Sequence, residues 1–216
     1  MPHAELDVPE PAPGGDSPAA AAPSPRKRPK PGERRVQILQ ALATMLEQPG
    51  TERITTAALA ARLEVSEAAL YRHFASKAQM FEGLIEFIEQ SVFTLINQIT
   101  ERDPAGAAQA GRIVAMLIQF AEKNPGMARV MVGDALVYEN ERLQQRMNQF
   151  VERLELALKQ ALRLAVSQGQ MREDEVALRA NLICSYVLGR WQRFVKSGFK
   201  QDPAAEAGAQ ILLLLT

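Results

Sequence analysis

An all-α fold follows from three features of the sequence. Beyond Glu33 no stretch alternates apolar and polar residues, and no Val/Ile/Thr-rich run sits between turn signals, so nothing reads as a strand. Apolar residues recur instead at helical spacing over long segments. The four prolines beyond residue 31 (Pro49, Pro104, Pro125 and Pro203) each fall at a break between such segments, where a residue without an N–H can start or end a helix.

The 216 residues divide unevenly. Residues 1–31 hold nine of the 13 prolines, with runs of Ala and Ser. That composition cannot bury enough apolar surface to offset its ordering entropy, so a disordered tail is expected there. Residues 32–78 are expected to form one small helical domain and 79–216 a larger one. Net charge is zero, but the charges are segregated. Residues 1–25 carry four acids and no Lys or Arg, whereas residues 26–80 carry ten Lys/Arg against five acids. A basic excess gathered in one segment points to a polyanion as partner. The run Arg26, Lys27, Arg28 and Lys30, continued by Arg34 and Arg35, reads as a basic arm that adds salt-dependent affinity for phosphates.

Several function classes find no material. The longest apolar run, Ile211–Leu215, is far below the ~20 residues of a membrane span. A single cysteine, Cys184, allows no intrachain disulfide and no Cys-based metal cage, and fits a reducing, cytoplasmic setting. With two histidines, no Gly-rich phosphate loop and no nucleophile elbow, the chain does not read as an enzyme, and no cofactor or metal is expected.

The helices follow in order. Glu33 to Glu47 carries a stripe of Val36, Leu39, Ala43 and Leu46, flanked by Ile38 and Leu42, and stops at Gln48-Pro49-Gly50. Thr55 to Leu63 is short and Ala-rich, with Thr55 or Thr56 as N-cap. After the Glu64-Val65 turn, Ser66 caps a second short helix to Phe74. Ser76-Lys77-Ala78-Gln79 is a capping box that opens a long helix to about Arg102. Its core stripe is Met80, Phe81, Leu84, Ile85, Ile88, Val92, Leu95, Ile96 and Ile99, with Phe87 and Phe93 off the stripe on opposite sides. Gly111 to Lys123 is apolar on nearly every turn, and a short helix follows from Met127 to about Val132. Long helices are expected at Glu139–Ser167 and Glu173–Lys196, and a last one at Pro203–Leu215.

Two short helices joined by a tight turn make a helix-turn-helix. Ala57, Ala58, Ala60 and Ala61 let the two helices cross closely, while Leu59, Leu63, Val65 and Leu70 supply the contacts between them. The second helix then offers groups suited to a DNA groove and backbone. Thr55, Thr56, Ser66, Ala68, Tyr71, His73 and Lys77 are the candidate DNA-binding residues, with Ala68 placed for a thymine methyl and Tyr71, His73 and Lys77 for phosphates.

Ile54-Thr55-Thr56-Ala57-Ala58-Leu59-Ala60-Ala61, followed by Val65 to Lys77 with Leu70-Tyr71-Arg72-His73-Phe74 and Ser76-Lys77 at its centre, resembles the N-terminal DNA-binding domain of the TetR family. The resemblance implies a homodimer with an N-terminal three-helix helix-turn-helix domain, a C-terminal helical dimerisation and regulatory domain, and palindromic double-stranded DNA sites. Further segments resemble one branch of that family: Arg53 to Ala57, Leu84 to Glu89, Asn124-Pro125-Gly126, Arg142 to Gln144 and Arg146 to Gln149. The likeness runs from about residue 33 to 200, dense to residue 89 and patchy afterwards. Members of that branch bind dispersed chromosomal sites and, on DNA, oppose polymerisation of the tubulin-like division protein FtsZ. The resemblance therefore implies nucleoid association and the FtsZ C-terminal tail as partner. It places that tail between the fourth and fifth helices, against Phe87, Met116, Phe120, Lys123 and Asn124. Gln119 departs from the pattern, standing where a small residue is expected. The last two long helices would pair across a dimer axis, with Trp191 and Phe194 as dimerisation or intrachain core anchors, two readings the sequence does not separate. The alternative is a ligand-responsive TetR-type repressor, with a pocket among Met116, Met127, Met131 and Met147.

Overall fold

A computed structural model describes residues 32–48 and 53–216. Among these the chain is helical throughout: α1 (Glu33–Leu46), α2 (Thr56–Arg62), α3 (Glu67–Tyr71), α4 (Lys77–Arg102), α5 (Gly106–Lys123), α6 (Pro125–Met131), α7 (Glu141–Ser167), α8 (Val176–Lys196) and α9 (Ala207–Leu215). The tail, including Arg26, Lys27, Arg28 and Lys30, lies outside the described residues.

The first three helices form a small unit built largely from local signals. Thr55 Oγ1 accepts from the Ala58 amide at 3.1 Å, Ser66 Oγ from Ala69 at 3.3 Å and Ser76 Oγ from Gln79 at 3.2 Å. Each cap satisfies an amide that the first helical turn leaves without a partner. The reciprocal bond at α4 differs by one residue from the expected box: Gln79 Oε1 accepts from Ala75, not Ser76. α1 buries the Ile38 and Leu42 flank of its expected stripe more deeply than Val36 and Leu39. Its buried residues are Ile38, Leu42, Ala43 and Leu46, while Val36 is 49% exposed. The reason is that α1 packs against α2, α4 and α6 at once, so the face that faces the most neighbours wins over the simplest stripe.

The C-terminal part wraps around α5, which touches α4, α6, α7, α8 and α9. α5 begins at Gly106, five residues earlier than expected. A Cβ there would lie 2.2 Å from the Ala165 amide nitrogen, so only glycine permits this crossing with α7. Gln168 closes the junction, accepting from the Gly106 amide at 2.8 Å and donating to the Pro104 carbonyl.

Two contacts dock the N-terminal unit onto this body. α6 presses on α1 so closely that a Cβ on Gly126 would lie 2.0 Å from the Ala43 carbonyl oxygen. Arg129, nearly buried, donates to Asp134 at 2.6 Å and to the Leu46 carbonyl at the end of α1. A seam between α4 and α7 holds the connecting helix. Lys77 pairs with Glu139, Arg142 with Glu82 at 2.6 Å, and Arg146 with Glu89 at 2.7 Å. Farther along, Phe93 meets Phe150 edge-on at 5.8 Å, with the Arg153 guanidinium stacked 4.0 Å from the Phe93 ring centre. The pairings advance together along both helices, so α4 and α7 run in the same direction.

Candidate nucleic-acid interface

The turn between α2 and α3 is a tight C-terminal cap. The Val65 amide donates to the Ala60 carbonyl and the Glu64 amide to the Ala61 carbonyl, with Glu64 in the left-handed region at φ 54°. This bend sets α3 across α2. Only Leu70 of α3 is buried, and the helix packs against α2. The opposite face is open: Thr55, Ser66, Ala68, Tyr71, Arg72 and His73 are all exposed. Small residues at its start and larger polar groups at its end suit a helix whose N-terminus meets base edges and whose C-terminus meets the backbone.

Four candidate residues are engaged otherwise. Thr56 is half-buried and donates its hydroxyl proton to Glu67 Oε2 at 2.5 Å, tying the start of α2 to the start of α3. Arg35 is a brace: its guanidinium lies 4.1 Å from the Phe74 ring centre and donates to the His73 carbonyl at 2.8 Å. Arg34 donates to Gln37 one turn along α1. The Lys77 ammonium is held by Glu139 rather than left open. Two exposed cations near the helix-turn-helix, Arg53 and Arg62, were not among the candidates. Their signal was the basic surplus of the segment, which marks a region and not a residue.

Phe87 is 45% exposed beside a surface hollow of about 420 Å³. Its walls are Phe87, Gln90, Ser91, Thr94 and Leu95, all on α4. Of the expected α5 residues, Lys123 is exposed and Met116 and Phe120 are half-buried, and none of them lines this hollow. Asn124 spends an amide donor on the Phe120 carbonyl at 2.8 Å, closing the last turn of α5.

Of the two readings, dimerisation anchor or intrachain core, the burial of Trp191 and Phe194 within one chain favours core. They are 0% and 4% exposed without any second copy, and the Trp191 indole N–H donates to the Leu117 carbonyl at 3.0 Å. The apolar side chains left open on α7 and α8 are Leu156, Leu178 and Leu182, the last two 73% and 55% exposed. Met131 and Met147 do line an open hollow of about 510 Å³, together with Gln144, Val151, Glu152 and Leu188. No cluster of His, Cys, Asp or Glu suited to a metal occurs among the described residues, and no helix there is long and apolar enough to cross a membrane. Burial, then the charge of Glu155, pushes the Cys184 thiol up to about 11, so it is a proton-bearing core group at neutral pH. The hydrogen bond that Arg146 donates to Glu89 raises its guanidinium above its ordinary value against the effect of burial.

Known proteins share this arrangement. Residues 38–84 match the model of bacterial regulatory proteins of the TetR family, and residues 107–216 match the tetracyclin repressor-like C-terminal domain. A fatty acid degradation regulator, FadR from Bacillus halodurans, has the same fold with a TM-score of 0.72 at 18% identity, over 85% of this chain and 95% of that one. The nucleoid occlusion factor SlmA of Idiomarina loihiensis is 51% identical over 179 residues, 82% of this chain and 91% of that protein. SlmA of Aliivibrio fischeri is 50% identical over 182 residues, 81% of this chain and 90% of that protein. With half its residues shared along nearly the whole length of such proteins, this chain belongs to the SlmA family of nucleoid occlusion factors, within the TetR regulators.

Proposed function

We propose that the chain binds dispersed palindromic sites on the chromosome as a dimer and, while on DNA, antagonises FtsZ polymerisation, so that no septum forms over the nucleoid. The observation that carries this reading is its identity with nucleoid occlusion factors across both the DNA-proximal helices and the C-terminal body. In this reading residues 32–78 hold the half-site. Ser66 and Ala68 face base edges, Tyr71 and His73 face phosphates, and Arg72 adds a further cation. Residues 79–216 supply the dimer face and the partner site. The open leucines Leu178 and Leu182 favour α8 as the dimer face, and exposed Phe87 with the hollow beside it favours α4 as the docking surface for an FtsZ tail. The protein acts by binding, without catalysis.

The test is genome-wide occupancy of the protein in its own cells, with a Phe87→Ala strain beside the unaltered one. Many dispersed peaks, few of them at promoters, are expected, unchanged by Phe87→Ala while division inhibition is lost. One or a few promoter peaks would mark a ligand-responsive repressor instead. Loss of occupancy and inhibition together would mean that Phe87 serves folding.

A further inference from the structure

We propose that Glu139 competes with DNA for the Lys77 ammonium and thereby sets an upper limit on DNA affinity. This rests on the reading of α3 and the start of α4 as the DNA-facing surface. Lys77 is the first residue of α4, next to the cap Ser76 and close in sequence to the exposed groups Tyr71, Arg72 and His73. A cation at that place is well positioned for a phosphate. Yet its Nζ is bonded to Glu139 Oε1, and the two side chains are only 20% and 11% exposed. The same ammonium lies 5.6 Å from the centre of the Phe81 ring, a buried residue of the α4 core stripe. Both contacts draw it inward, towards the C-terminal body.

Glu139 is not part of α4. It stands just ahead of α7, before the N-cap Asn140, and belongs to the loop that follows the turn Asp134–Leu136. The pair thus spans 62 residues and joins the DNA-proximal unit to the body. A phosphate brought to Lys77 meets the Glu139 carboxylate at the same nitrogen, and like charges there repel. DNA must either displace Glu139 or forgo Lys77. The neighbouring pairs Arg142–Glu82 and Arg146–Glu89 lie one and three turns farther along α4 and do not compete in this way.

The test is a double-mutant cycle on the full-length dimer. Binding is measured by fluorescence anisotropy against a duplex cut from the strongest occupancy peak, over a range of salt. Lys77→Met is expected to weaken binding and lower the log–log salt slope by about one. Glu139→Gln is expected to tighten binding about threefold to tenfold, as loss of one competing ion pair allows. In the Lys77→Met background, Glu139→Gln is expected to change nothing, which separates competition from a general gain of positive charge. If Lys77→Met weakens binding but Glu139→Gln leaves it unchanged or weaker, Lys77 contacts DNA and the competition is refuted. If Lys77→Met alters neither affinity nor salt slope, the DNA-facing reading of Lys77 falls first. Circular dichroism confirms folding of each variant, and Lys77→Gln replaces Lys77→Met if helicity is lost.

Discussion

α3 and α8 each leave one face open, but they are held in opposite ways. α3 has five residues, one of them buried, and keeps its shape through the Ser66 cap and the turn at Glu64. α8 has 21 residues, eight of them buried, and keeps its shape through packing against α5 and α7. A helix this short cannot stabilise itself, so α3 is a rigid surface only because its ends are tied. An open face on α8 costs nothing in fold stability, because the opposite face already anchors it. Changes on the two open faces should therefore alter binding alone, whereas changes beneath them should differ greatly in size.

The largest effect is expected beneath α8. Trp191→Ala removes a fully buried indole and leaves the Leu117 carbonyl without its donor. A loss of about 3–5 kcal/mol of stability is expected, read as a lower urea midpoint at unchanged slope. A dimer that weakens with no loss of monomer stability would return Trp191 to the interface.

On the open face of α8, Leu178→Glu with Leu182→Glu places like charges across any twofold contact. Dimerisation about 100-fold weaker is expected by analytical ultracentrifugation, with helicity retained because both side chains are already exposed in one chain. An unchanged sedimentation coefficient would move the dimer face elsewhere. On α3, Tyr71→Ala is expected to weaken DNA binding about tenfold, with stability changed by less than about 0.5 kcal/mol. Equal loss of both would show that Tyr71 supports the fold.

The same contrast decides what was legible in the sequence. The caps at Thr55, Ser66 and Ser76 were readable because each bond spans three residues, and the types that make it are few. The exposure of Val36 on α1, the choice between core and interface for Trp191 and the Glu139 partner of Lys77 were not. Each depends on a helix that arrives from far along the chain, and periodicity gives a stripe without saying what covers it. Arg35 shows the limit most plainly. Its charge suggested an arm on phosphates, while its place over Phe74 follows from how α1 meets the end of α3.

The smallest change separates the two regions most cleanly. Ser66→Ala removes the cap of α3, and Asn140→Ala removes the cap of α7, whose Oδ1 accepts from the Arg142 amide at 3.0 Å. Each is expected to cost about 1 kcal/mol of stability, since each leaves one amide unsatisfied. Their consequences diverge with helix length. α7 has 27 residues and loses only its first turn, and any loosening of the neighbouring Glu139 from Lys77 frees a cation, so DNA affinity should hold or rise. α3 has little more than one turn, so fraying its start disorders the groups proposed to face DNA. Ser66→Ala should therefore weaken DNA binding severalfold at the same melting temperature as Asn140→Ala. Equal DNA affinity in the two variants would mean that Ser66 makes no base contact of its own and that DNA itself reorders α3, so that its shape in the free protein is not what sets recognition.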